Sequence, residues 1–233
     1  RLRWTVHPSN CTNVNINNIK IMNWDTGSDG VDINSSQNVK VTNSFLRCND
    51  DCVVIKSMGE RSYYPDKKVI ARNVDNVLVE NCVLWNMAWG NALEIGFELR
   101  SEEVKNIIFR DCDIINVERG AALSIHNGDW AHVHNVLYEN IRIENAQHKI
   151  FDVAIFLSQY SYDRPADEKV RKQQYKLGAW DGVQIELPGK EEFHKKVSGK
   201  MSNITYKKNY IVGGPVPFSL FVGYDKNHKI ENV

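Results

Sequence analysis

Ser28-Asp29-Gly30-Val31-Asp32-Ile33, followed by Asn49-Asp50-Asp51-Cys52-Val53-Val54-Ile55-Lys56, decides how this chain is read. Each segment joins an acidic turn to a β-branched run that closes on an isoleucine, and Asp29 and Asp50 are 21 residues apart. If that distance is one turn of a repeating β-structure, the two acidic turns stack on one side of the molecule. Asp29, Asp50 and Asp51 then converge, as acid/base cleavage of a glycosidic bond requires.

The rest of the sequence supports a repeat. An Asn followed by a β-branched residue recurs at Asn13, Asn38, Asn76, Asn106, Asn135, Asn203 and Asn232, with spacings of 25, 38, 30, 29, 68 and 29 residues. Spacings of about 25–30 residues suit one coil of a solenoid, and longer ones imply insertions. The gap of 68 fits one coil with a large insertion or two coils with a smaller one. Five residues after the first Asn stands a second turn-former: Asn18, Asn43, Asn81, Asp111 or Asn140. Short amide and carboxylate side chains tolerate left-handed backbone, so both positions are expected at coil corners. Between them, alternating segments such as Val39-Lys40-Val41 and Val77-Leu78-Val79 read as strands with one face inward. No helical periodicity persists over ten residues. Breaks are expected near 57–73 and 158–198, the first walling a cleft, the second a charged loop or a subsite wall carrying Tyr160, Tyr162 and Trp180.

Bulk properties narrow the classes. The 29 basic residues balance 29 acidic ones, which removes the electrostatic case for nucleic acid or an anionic membrane surface. No apolar run approaches a membrane span. The length of 233 residues suits one domain, here an all-β, single-stranded parallel β-helix over 1–233. Abrupt ends, with a non-Met start at Arg1 and a stop at Asn232-Val233, are expected of a piece of a longer β-helix lacking one or both caps. Among five cysteines, Cys48 and Cys52 are close enough to bridge in an oxidising compartment, whereas Cys82 and Cys112 read as stacked, buried hydrophobes.

Aligning strands on Ile33, Ile55, Ile95 and Ile125 makes these one inward ladder. The preceding column is then Asp32, Val54, Glu94 and Ser124, and the following one Asn34, Lys56, Gly96 and His126. With Asp29, Asp50 and Asp51 at the strand starts, one outward face collects Asp29, Asp32, Asp50, Asp51, Glu94, Lys56 and His126. Each has a plainer reading: Asp-Gly and Asp-Asp as turn formers, Lys56 and Glu94 as cross-strand ion partners, His126 as a structural residue. Trp85, Trp89 and Trp130 lie near strand ends, where aromatics serve either sugar stacking or packing. Three Asn-x-Ser/Thr sites, at Asn10, Asn34 and Asn203, match the glycosylation pattern in a chain rich enough in Asn to produce it by chance.

The pair Ser28-Asp29-Gly30-Val31-Asp32-Ile33 and Asp50-Asp51-Cys52-Val53-Val54-Ile55-Lys56-Ser57 resembles glycoside hydrolase family 28, the polygalacturonase family. The resemblance extends over roughly Asn13 to Ser158. It implies a right-handed parallel β-helix, an inverting hydrolase without cofactor or metal, Asp50 as general acid, and Asp29 with Asp51 sharing the base role. It also implies a secreted or periplasmic protein acting on a polysaccharide or oligosaccharide. The family's Gly-His-Gly and Arg-Ile-Lys motifs are replaced here by Trp89-Gly90-Asn91-Ala92-Leu93-Glu94-Ile95-Gly96 and by Ser124-Ile125-His126. That loss of cations disfavours plain polygalacturonate. Asp32, Lys56, Glu94 and His126 become candidate substrate-binding residues, with His126 in the column of the missing Lys. A non-catalytic glycan-binding solenoid and a calcium-dependent lyase using Lys56 remain alternatives.

Overall fold

The computed structural model describes residues 4–58, 71–156, 160–162 and 198–233. Every regular element among them is a β-strand. After β1 (Trp4–Val6), the chain repeats a three-strand circuit: β2 (Thr12–Asn17), β3 (Lys20–Met22) and β4 (Asp29–Asn34), then β5 (Gln37–Thr42), β6 (Phe45–Cys48) and β7 (Val53–Ser57). The next circuits are β8 (Val74–Glu80), β9 (Val83–Asn86) and β10 (Leu93–Leu99), and β11 (Glu103–Arg110), β12 (Asp113–Asn116) and β13 (Ala121–Asn127). They are followed by β14 (His132–Glu139), β15 (Arg142–Ile143) and β16 (Lys149–Ile155), by β17 (Lys200–Lys207), β18 (Tyr210–Ile211) and β19 (Leu220–Val222), and by β20 (Ile230–Glu231).

Strands taken from successive circuits pair in parallel. Sheet A is β1-β4-β7-β10-β13-β16-β19, sheet B is β2-β5-β8-β11-β14-β17-β20, and sheet C holds β3, β6, β9, β12, β15 and β18. The chain thus passes from sheet B to sheet C to sheet A in constant rotation. Val136 pairs with Ile204, so the 68-residue spacing is one circuit carrying one insertion. Most of that insertion, with Trp180, and most of the earlier one fall outside the described residues.

Both Asn positions of the repeat adopt positive φ, between 52° and 62°. Only the second, Asn18, Asn43, Asn81, Asp111 or Asn140, lies at a corner, between sheets B and C. The first lies inside a sheet B strand, as Asn38 does in β5 and Asn106 in β11. There a left-handed residue bends the strand while its side chain bonds its counterpart: Asn38 Nδ2 donates to Asn13 Oδ1 (3.0 Å) and Asn76 Nδ2 to Asn38 Oδ1 (2.9 Å). The exposed amides form a ladder that offsets the conformational cost of that backbone.

The inward ladder has the register expected of it: Ile33 pairs with Ile55, Ile55 with Ile95, Ile95 with Ile125 and Ile125 with Val153. Each is fully buried, worth about 1.5–3 kcal/mol of transfer free energy per side chain. Across the core, Phe109, Tyr138 and Tyr206 stack in register, with ring centroids 4.8 and 5.0 Å apart. Cys82 and Cys112 are buried neighbours, and all five cysteines are free thiols, so Cys48 and Cys52 are not bridged. No helix among the described residues is long and apolar enough to cross a membrane.

Candidate active site

The site lies where the loops arriving from sheet C enter sheet A. The Asn49–Cys52 turn is clamped from both sides by backbone. On one side Asp50 N–H donates to Ser28 O (3.2 Å) and Gly30 N–H to Asp51 O (2.9 Å). On the other, Trp89 N–H donates to Asn49 O and Cys52 N–H to Asn91 O, both at 3.0 Å. The Asn86 amide closes the clamp by donating to Asp50 O (2.8 Å) and Trp89 O (2.6 Å). Gly90 has to be glycine: its φ is +65°, and a Cβ would sit 2.4 Å from Asp50 Oδ1 and 2.7 Å from Asp51 Oδ1.

Sheet A differs from the sequence-based expectation in one respect. Its outward face was expected to be open, yet every residue of β4, β7 and β13 is buried. Asp50, in the turn, is the partly exposed member of the acidic group. Asp29 and Asp51 are buried beside it, and Asp32 is fully buried beneath.

Burial governs the electrostatics of the cluster. It pushes the Asp29 carboxyl well above the ordinary carboxylate range, reinforced by Asp32, Asp51 and Asp50. Asp32 is pushed up to about 7, again by burial first, with Lys56 pulling the other way. Among the described residues, no donor reaches either Asp32 oxygen. Its contact with Asp29 is therefore a hydrogen bond only when one of the two carboxyls carries a proton. Burial also raises Asp50, against Lys56 and the backbone N–H of Asp51. Asp51 is raised by burial, then by Asp50 and Glu94, while Lys56 and the 2.7 Å bond from Asn91 N–H favour its ionised form.

Lys56 sits under these acids with Nζ 2.9 Å from Glu98 Oε2 and 3.2 Å from Gly96 O. Burial opposes its charge, but Glu98, Asp51, Asp32 and Asp29 outweigh that and hold it firmly protonated. Glu98 is correspondingly lowered, Lys56 and Arg100 overcoming its burial.

Glu94 and His126 belong to a neighbouring buried network. Asn91 Nδ2 donates to Glu94 Oε2 at 3.0 Å, the Ser124 hydroxyl donates to the same oxygen, and His126 Nδ1 lies 3.0 Å from Glu94 Oε1. His126 Nε2 is 3.2 Å from Asp152 Oδ2, which Lys149 also holds at 2.6 Å. The imidazole stacks on Phe97 at 4.9 Å and meets the edge of Phe156 at 5.6 Å. Burial alone would discharge it; Glu94 and Asp152 instead raise its pKa to about 10, so it is an imidazolium.

The structure therefore brings Asp29, Asp32, Asp50, Asp51 and Lys56 together, with Glu94 reaching Asp51 through Asn91 and His126 one step further on. Asp32, Lys56, Glu94 and His126 are all below the surface with protein groups around them. Asn91, Glu98, Asp152 and Lys149 were not found by sequence reasoning. Asn91 alone left a signal, standing in the segment that replaces Gly-His-Gly. At the far end of β13, Asp129 accepts from Arg100 (3.2 Å) and from Tyr162 N–H (2.6 Å), and burial raises it to about 6 against Arg100. Asn34 of the second glycosylation match is buried.

Comparison with known proteins gives a family. A model of the family described as "Glycosyl hydrolases family 28" matches residues 4–155. A protein of Neosartorya fischeri named "Probable endopolygalacturonase D" is 28% identical over 118 residues, which cover 50% of this chain and 21% of that relative. The matched stretch thus spans about a fifth of the relative's length.

Proposed function

Because the chain belongs to glycosyl hydrolases family 28, we propose that it cleaves a glycosidic bond of a polysaccharide or oligosaccharide with inversion, on a right-handed parallel β-helix. The observation that carries this reading is the group Asp29, Asp50 and Asp51, pressed together by burial at a partly exposed turn.

Asp50 is the general acid. It is the partly exposed member of the group and so the one able to reach the leaving oxygen, and burial favours its protonated form. Asp51, with Asn91 N–H and Lys56 favouring its anion, and Asp29 orient and deprotonate the attacking water on the opposite face of the sugar. Asp32 holds a proton against Asp29, and Lys56 balances the negative charge left as the proton departs. Glu94 and His126 act through Asn91 as positioning residues.

The substrate is a neutral glycan. Among the described residues, four buried or half-buried cations of sheet A and its edge each have a carboxylate partner: Lys56 with Glu98, His126 with Glu94 and Asp152, Lys149 with Asp152, and Arg100 with Asp129, while Arg47 and Arg119 are laid against tryptophan rings. A uronate drawn to one of those four would have to displace its partner, at the cost of leaving a buried carboxylate uncompensated, and one drawn to Arg47 or Arg119 would have to lift it from its indole. The lyase alternative is weakened by the same ion pair, because Lys56 would have to be neutral to serve as base. A secreted or periplasmic location suits such a substrate.

The test is a reducing-end assay on galactan, arabinan, xylan and polygalacturonate, with the parent beside Asp50→Asn. We expect release from a neutral polysaccharide, lowered about a thousandfold by the substitution at unchanged thermal stability. Equal release by both proteins would remove Asp50 from the mechanism. No release from any glycan would remove the hydrolase reading.

A further inference from the structure

Two exposed tryptophans flank the Asp50 turn, and each has a guanidinium against its ring. Trp24, 69% exposed, lies in the loop before β4, and the Arg47 guanidinium of β6 sits 4.0 Å from its ring centroid. Trp89, 41% exposed, lies in the loop before β10, with the Arg119 guanidinium 4.9 Å over its ring. Arg47 also reaches the Trp85 ring at 5.5 Å, while its buried Nη1 has no hydrogen-bond acceptor among the described residues. That side chain is held by aromatic faces. Cation–π contact fixes each indole by one face, so little rotamer freedom remains to be lost when a ligand covers the rest.

The placement ties both rings to the acids. In the Trp24 loop, a Cβ on Gly27 would lie 3.8 Å from Asp50 Oδ2. From the other side, Trp89 N–H donates to Asn49 O, and the next residue, Gly90, packs on Asp50 Oδ1. Trp24, Asp50 and Trp89 therefore belong to three successive circuits, one strand spacing of about 4.8 Å apart. That step is close to the advance of a glycan per pyranose unit. A pyranose has an apolar C–H face to lay on indole and a hydroxyl rim for the neighbouring guanidinium.

We propose that Trp24 and Trp89, braced by Arg47 and Arg119, are sugar-stacking subsites on either side of Asp50, holding consecutive units of a neutral glycan that runs across the strands of sheet A. This rests on the proposed hydrolase reading for its choice of ligand, but not for its test.

The experiment measures retardation in native gels containing galactan, arabinan, xylan or polygalacturonate, on the Asp50→Asn protein so that the glycan stays intact. We expect retardation by a neutral polysaccharide, weakened about tenfold by W24A and by W89A, a loss of about 1.4 kcal/mol each. W24F and W89F should keep most of the affinity, and Tyr210→Ala, an exposed aromatic of sheet C, should keep all of it. Retardation indifferent to both tryptophans, or none with any glycan, overturns the subsites. If the parent still releases reducing ends in those cases, the hydrolase reading stands alone. Tryptophan-dependent retardation with no release by the parent leaves the subsites standing and removes the hydrolase.

Discussion

Sheets A and B are built from the same circuits, yet they treat charge in opposite ways. In sheet B the strands alternate: β11 buries Val104, Ile107 and Phe109 and turns its other residues toward solvent. Its charges pair at the surface, Arg110 with Glu80 at 2.5 Å and Lys207 with Glu139 at 2.6 Å. From β4 to β16 sheet A is buried on both faces almost throughout, and the outer face carries Asp32, Lys56, Glu94, His126 and Asp152. Exposed ion pairs cost little and contribute little. Buried ones carry a desolvation penalty that good geometry only partly offsets. A repeat can tolerate sheet B charge anywhere, whereas charge concentrated within one face of sheet A marks a site.

The sharpest way to break this comparison is His126→Ala. It strands Glu94 and Asp152 beside each other without their shared cation, and should cost about 4 kcal/mol in urea denaturation at pH 7. Lys207→Ala in sheet B should cost less than about 1 kcal/mol in the same assay. Similar losses for the two would mean that the buried network is no different in kind from a surface pair.

Asp32→Asn tests the acidic half of the face. The folded pKa of Asp32 lies near 7, above its ordinary 3.8, so the protein binds the proton more tightly when folded. The resulting stabilisation is complete below pH 3.8 and is lost as pH rises through about 7. At 1.36 kcal/mol per pH unit that interval is worth roughly 4 kcal/mol at most. With sharing among neighbouring carboxyls, we expect Asp32→Asn to gain about 2 kcal/mol on the parent between pH 5 and pH 8. A difference that does not change with pH would show that Asp32 is already ionised in the fold. His126 adds a second decline in the parent at higher pH, its raised pKa releasing stability as pH passes about 10.

The smallest effect belongs to the Asn ladder. Asn135 sits at φ 56°, donates to Asn106 Oδ1 at 3.2 Å and accepts from Asn203 Nδ2 at 3.3 Å. Asn135→Ala keeps the left-handed backbone but loses both bonds, and should cost about 1–2 kcal/mol by thermal denaturation. Asn135→Gly should recover part of it. If alanine matched the parent, the ladder would be an incidental feature of the exposed sheet.

Much of the fold was legible because its causes are local. A recurring Asn announces a left-handed backbone position, and an alternating β-branched run announces a strand with one inward face. Together they led to parallel strands in register, and to Ile33, Ile55, Ile95 and Ile125 as one column. The first Asn of each repeat was misplaced to a corner because left-handed geometry bends a strand as readily as it ends one. In the site, the Asp turns were legible from their motifs, and Gly90 and Asn91 only as an altered stretch.

By itself, then, the sequence determined an all-β repeat with acidic turns on one edge, since backbone preference and side-chain alternation act within a few residues. Tertiary structure alone decided that sheet A is buried on both faces from β4 to β16, that His126 is an imidazolium between Glu94 and Asp152, and that Lys56 is held by Glu98. It also decided that Arg47 and Arg119 brace Trp24 and Trp89. Those partners lie 23 to 42 residues apart along the chain, with Glu98, for instance, 42 from Lys56 and Asp152 26 from His126. Only the stacking of circuits in register brings them within reach, and only the resulting exclusion of water sets their charge.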